Sequence, residues 1–182
     1  MYHLALDLDN TIKGQIEEII RQAQLKYNVS LTLEDDFDVW DKPIGHKLGM
    51  GYEEFLKWAW MNPEIQWQAH PLPGACRSVR GLYQNYHITI LTATAFPALV
   101  EPWCFRWGIP YHNIVFATDK SQADFDMLID DSPGTLKQLA ALRRNVVRFS
   151  RPWNDLEELA HLPTINRWDN RNLGRVLSDS TI

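Results

Sequence analysis

At 182 residues, with 23 acidic against 18 basic side chains and a net charge of −5, the chain is the length of one domain, or of one domain carrying an insertion. An apolar fraction of 45% is enough for a real core. The acidic balance argues against a nucleic-acid-coating surface, yet leaves room for a small anion held by a local cationic site and a metal. Cys76 and Cys104 form neither a disulfide framework nor a metal-ligand spacing and read as small hydrophobes in a reducing compartment. The start of the chain lacks a basic leader with a long apolar stretch, and no run reaches transmembrane length, so a cytoplasmic protein without a membrane partner is expected.

In chain order, Leu4-Ala5-Leu6 reads as a buried strand. It runs into Asp7-Leu8-Asp9-Asn10-Thr11, two carboxylates followed by turn and helix-start residues. Ile16, Ile19, Ile20 and Ala23 recur at helical spacing and predict a helix from Gln15 to Tyr27. Residues 28–51 read as irregular, with the acidic group Glu34, Asp35, Asp36 and Asp38 and the breakers Pro43, Gly45, Gly49 and Gly51. A second helix is expected from Tyr52 to Met61, with Trp60 on its apolar stripe, closed by Asn62-Pro63.

From Ala75 the pattern alternates. Helices at about 75–85, 97–107 and 133–143 separate the apolar runs 87–92, 114–117, 127–129 and 146–149. This predicts an α/β, Rossmann-like parallel sheet with right-handed crossovers and helices on both faces. The first strand stands apart from the rest by about sixty mostly helical residues. Residues 1–12 and 74–182 are therefore expected to form the core and 13–73 a helical cap inserted after strand 1. The tail from Trp153 is expected to pack back through residues such as Leu159, Ile165 and Trp168, with loose final residues.

Open α/β sheets bind ligands outside the carboxyl ends of their strands. Asp7 and Asp9 end the first strand, Thr92 ends His87–Thr92, and Asp130-Asp131 end Met127-Leu128-Ile129. Lys120 lies ten residues before Asp130. Each has an ordinary alternative. Asp7 and Asp9 can be solvated turn residues, Thr92 a cap, Lys120 a surface lysine, and Asp131 or Ser132 an N-cap before Pro133. What distinguishes them is their joint order on one sheet edge. Paired carboxylates repel unless a cation joins them, and Mg²⁺ takes one or two carboxylates together with water and phosphate.

This constellation resembles the haloacid dehalogenase-like phosphotransferases over residues 4–133. Asp119-Lys120, Asp126 to Pro133 and Arg151-Pro152-Trp153-Asn154 make it most similar to the 5'(3')-deoxyribonucleotidase family. Asn10 stands where relatives often have Gly or Asp, and Ala93-Thr94-Ala95 where some have Ser-Pro. The resemblance implies a Mg²⁺-dependent phosphomonoesterase acting on (deoxy)nucleoside monophosphates. In that reading Asp7 is the nucleophile and Asp9 the acid and base. Mg²⁺ is held by Asp7, the Asp9 backbone carbonyl and Asp130, and phosphate by Thr92, the Ala93 amide and Lys120. Asp131 is expected to orient Lys120 or a metal-bound water. Phe37 and Trp40, in the irregular acidic stretch, are candidates for the base pocket. A sugar phosphate or a polynucleotide end is the alternative substrate, and a non-catalytic metal- or phosphate-binding module the alternative role. A homodimer is compatible with the sequence.

Overall fold

The computed structural model describes residues 1–39 and 44–179. Six strands form one parallel sheet: β1 (His3–Leu6), β2 (His87–Thr92), β3 (Asn113–Phe116), β4 (Met127–Asp130), β5 (Val146–Phe149) and β6 (Thr164–Ile165). Their spatial order is β3-β2-β1-β4-β5-β6. The order reverses at β1, whose neighbours β2 and β4 lead to opposite halves of the sheet. A crevice at the carboxyl end of β1 is the consequence.

Alternate side chains of these strands feed two separate cores, as the two-residue period of a strand requires. Leu4, Leu6, Ile88, Ile90 and Ile129 meet α5 (Ala75–Tyr83), α6 (Pro97–Trp107) and α8 (Asn170–Asp179) on one face. Ala5, Leu91, Leu128 and Val146 meet α7 (Pro133–Ala141) on the other. Burial on both faces explains why these strands read as continuous apolar runs.

Between β1 and β2 lie α1 (Gln15–Tyr27), α2 (Leu33–Asp36), a 3-10 turn over Ile44–Leu48, α3 (Tyr52–Ala59) and α4 (Pro63–Gln68). They share a third apolar cluster that includes Ile19, Ile44, Phe55 and Ile65. The stretch expected to be irregular thus contains a short helix capped by Thr32, whose hydroxyl accepts from the Asp35 amide at 3.1 Å. Asn62-Pro63 stops one helix but also starts another. Asn62 Oδ1 accepts from the Glu64 amide at 3.0 Å, and Pro63 occupies the first turn of α4.

The tail does more than pack back. It adds β6 and α8, whose Leu173, Val176 and Leu177 join the main core. None of the helices among the described residues is long and apolar enough to cross a membrane.

Candidate active site

The crevice is built first from the turn after β1. The Asp7 amide donates to the Ile129 carbonyl at 2.9 Å, which continues the ladder one residue past the strand. The chain then folds back on itself. The Leu8 carbonyl accepts from the amides of Ile12 (3.0 Å) and Lys13 (2.8 Å), and the Asn10 amide donates to the Lys13 carbonyl at 2.6 Å. Asn10 sits at the head of this loop with φ +62°, a conformation that Asn tolerates better than most residues. Its Oδ1 accepts from the Ile16 amide at 2.9 Å and so ties the loop to the start of α1.

Lys120 comes from a 3-10 turn, Lys120–Gln122, capped by Asp119, which accepts from the Ser121 amide at 3.0 Å. The turn directs the ammonium inward. Nζ donates to Asp7 Oδ1 at 2.5 Å and to Asp130 Oδ2 at 2.6 Å. Lys120 is 5% exposed and Asp130 fully buried, so the surface-lysine alternative does not apply. Asp130 Oδ1 accepts from the Ser132 amide at 2.7 Å.

Asp131 is held on its other side. Its oxygens accept from Thr11 Oγ1 at 2.9 Å and Trp153 Nε1 at 3.0 Å, and Asn154 Nδ2 donates to its carbonyl at 2.7 Å. Of the two tasks expected of Asp131, steadying Lys120 is therefore not the one the geometry favours. Trp153 and Asn154 belong to the Arg151-Pro152-Trp153-Asn154 turn, whose part in this support the sequence alone does not reveal.

Burial decides the electrostatics. It pushes the Asp7 carboxyl up to about 7; Lys120 pulls the other way, and Asp130 and Asp9 add to the rise. Burial also raises Asp131 well above the ordinary carboxylate range, reinforced by Asp7 and Asp130. For Lys120, burial alone would lower the value, but Asp130 and Asp7 outweigh it and the ammonium is held charged. Asp7, Asp130 and Asp131 each present an oxygen within 4.8 Å of the others. One lysine cannot neutralise three ionised carboxylates, which is why burial and mutual repulsion raise Asp7 and Asp131, and an all-oxygen donor set suits a hard divalent cation that would relieve this. The residues present fit such an ion.

Above this floor lies a cavity of about 340 Å³. Asp7, Asp9, Thr92, Ala93, Lys120 and Asp131 all line it, so five expected site residues and Asp131 meet in one place. Asp130 sits just beneath, against Lys120. Thr92 Oγ1 is buried without a hydrogen-bond partner, and its hydroxyl is free to donate to an incoming oxygen. The expected pocket residue Phe37 is not there. It is 5% exposed and packs within the core of the insert, because an aromatic next to a short helix has more apolar contact to gain inside than at a polar mouth. Trp40 lies outside the described residues. The insert presents Trp60, Met61 and Gln66 to the cavity instead. Trp60, expected on the apolar stripe, does pack partly against the insert's core, but as the C-cap of α3 it also reaches the cavity. Sequence reading also missed Lys13, a buried lysine four residues after Asp9 in a loop rather than on a helix.

A family model described as 5' nucleotidase, deoxy (pyrimidine), cytosolic type C protein matches residues 1–172. A Chlorobaculum tepidum protein provisionally named as a 5'(3')-deoxyribonucleotidase is 29% identical over 119 residues, covering 59% of this chain and 58% of that protein. The chain thus aligns with little more than half the length of this curated relative. Among solved structures, a 2-haloacid dehalogenase from Pseudomonas syringae pv. tomato superposes with a TM-score of 0.56 at 14% identity, covering 98% of this chain and 99% of that one. A protein from Haemophilus somnus provisionally assigned as a phosphoglycolate phosphatase gives 0.60 at 12% identity, with 97% and 98% covered. A magnesium-bound structure from Bacillus subtilis, provisionally assigned as a haloacid dehalogenase-like hydrolase, gives 0.57 at 14% identity, with 97% and 98% covered. At such identities these structures speak for the fold.

Proposed function

Because this chain belongs to the 5' nucleotidase, deoxy (pyrimidine), cytosolic type C family and has the haloacid dehalogenase-like fold, we propose that it is a Mg²⁺-dependent phosphomonoesterase acting on (deoxy)nucleoside monophosphates. The observation that carries the reading is Lys120, buried between Asp7 and Asp130 on the floor of a cavity that also contains the unpartnered hydroxyl of Thr92. That set combines a carboxylate nucleophile with phosphate-oxygen donors on one sheet edge.

Asp7 and Asp130, with the Asp9 carbonyl, are the groups that would hold the metal, and Asp131, whose carboxylate lies within 4.8 Å of theirs, would orient a metal-bound water. The ion supplies Lewis-acid polarisation of the phosphoryl oxygens and relief of repulsion between two anions. Lys120 and Thr92, with the Ala93 amide, orient the phosphoryl group by donating to its oxygens. An Asp7 oxygen attacks phosphorus as the ester P–O bond breaks, giving an aspartyl-phosphate. Asp9 donates a proton to the departing alcohol oxygen. It then takes a proton from the water that attacks the same phosphorus, releasing inorganic phosphate and the Asp7 carboxylate. Phosphoryl transfer asks chiefly for positioning and charge stabilisation, which buried, mutually bonded groups supply.

The insert acts in this reading as the substrate-choosing cap over residues 13–73, with Trp60 and Met61 facing the base. The test is a panel of deoxyribonucleotides, ribonucleotides and sugar phosphates assayed with Mg²⁺ for phosphate release. Nucleotides should be preferred, and Asp7→Asn should remove turnover from a folded protein. Equal rates on sugar phosphates would overturn the nucleotide assignment, and an active Asp7→Asn would overturn the nucleophile.

A further inference from the structure

Lys13 is a buried charge that the chemistry above leaves without a task. It is 3% exposed and does not line the cavity. Its ammonium lies 2.5 Å from Asp9 Oδ1, donates to Gln66 Oε1 of α4 at 2.8 Å, and stands 5.6 Å from the centre of the Trp103 ring. A lysine this deeply buried costs stability unless it is fully partnered, and its charged partner here is the Asp9 carboxylate. The pairing treats the two oxygens of Asp9 differently. Oδ1 is shielded from solvent, while the side chain as a whole keeps 20% exposure and lines the cavity. Oδ2 is the oxygen left to face a substrate.

Resting on the phosphatase reading, we propose that Lys13 is the positioning residue of the acid–base step. By occupying Oδ1, it makes Oδ2 the oxygen that carries the transferable proton and fixes its aim, and Gln66 anchors it to the insert. When the ester P–O bond breaks, Oδ2–H gives its proton to the leaving oxygen. Oδ2 later takes one from the attacking water, while Oδ1 stays in its ion pair with Lys13 throughout. Lys13 itself touches neither phosphate nor alcohol. Carboxylic acids have two nearly equivalent oxygens, and a proton on the wrong one is lost to catalysis. A fixed cation on one side removes that ambiguity without adding a group to the crowded floor.

The test uses leaving groups. An ester whose alcohol departs readily as an anion needs little help from an acid; one with a poor leaving group depends on it. Lys13→Met should lower kcat for phenyl phosphate and for a deoxynucleoside monophosphate by about 100-fold. The loss for p-nitrophenyl phosphate should be less than about tenfold by the same reasoning. KM should change little in both cases. A general loss of packing or of metal would lower all three substrates alike. If Lys13→Met does not fold, Gln66→Leu keeps the lysine but removes its second partner, and should give a smaller split in the same direction. Equal losses on good and poor leaving groups, or no loss, would overturn the assignment of Lys13 while leaving the phosphatase reading intact. A wild-type protein inactive on every ester would overturn both.

Discussion

Asp7 carries two demands that conflict. In the proposed role of nucleophile it must be ionised, yet it is 5% exposed, and burial pushes its carboxyl up to about 7 against the pull of Lys120. A carboxyl raised on folding contributes stability below its unfolded value near 4. That contribution is lost as the pH climbs through the folded value. In metal-free protein, Asp7→Asn should therefore melt above wild type at pH 8, by on the order of a few kcal/mol, and the gap should close as the pH falls towards 4. Thermal melts in a chelator across that range measure it. A variant no more stable than wild type at pH 8 would mean that Lys120 already compensates the charge. At this scale the sequence was highly legible, since the residue types at the ends of β1, β2 and β4 all arrive where their order implied. Asp131 was the exception, because its partners Thr11 and Trp153 lie 120 and 22 residues away.

At the scale of elements, what the sequence obscured lies in the insert. Asn62-Pro63 fits the stop of one helix as well as the start of the next, and a single-sequence reading has no way to choose between them. The true break leaves α3 ending at Ala59. Trp60, one residue beyond, turns to the cavity mouth while Phe37 is drawn into the insert core. If Trp60 stacks on the base, Trp60→Ala should raise KM for the preferred nucleotide by roughly 5- to 100-fold, the range expected for one lost stacking contact. Turnover of p-nitrophenyl phosphate, which has no base, should be nearly unchanged. Steady-state kinetics on both substrates separate this from damage to the floor, which would lower both.

Across the whole molecule, the carboxy-terminal segment reaches back to the turn after β1. Trp168 Nε1 donates to the Thr11 carbonyl at 2.6 Å, and its ring lies 5.7 Å from that of Phe149 in a stacked arrangement. Gly74, where the chain re-enters the core, passes so close that a Cβ there would fall 2.1 Å from the Trp168 carbonyl oxygen, and its φ is +85°. Gly74→Ala should cost more than about 2 kcal/mol in urea unfolding, from strain and overlap together. It should also lower turnover, because the displaced Trp168 is bonded to the loop that carries Asp9 and Thr11. A folded variant of unchanged stability would show that the tail gives way freely. By itself the sequence determined the parallel α/β sheet and the residues at its carboxyl edge, because strand periodicity and helix-start chemistry are local properties. Only the tertiary structure decided which aromatic faces the cavity, that Lys13 stands behind Asp9, and that the tail braces the first turn. The Trp168 contact with the first turn spans more than a hundred residues, and the burial of Lys13 depends on Gln66, fifty-three residues on; which side chains meet is settled by burial and hydrogen-bond pairing in the assembled core rather than by any local pattern.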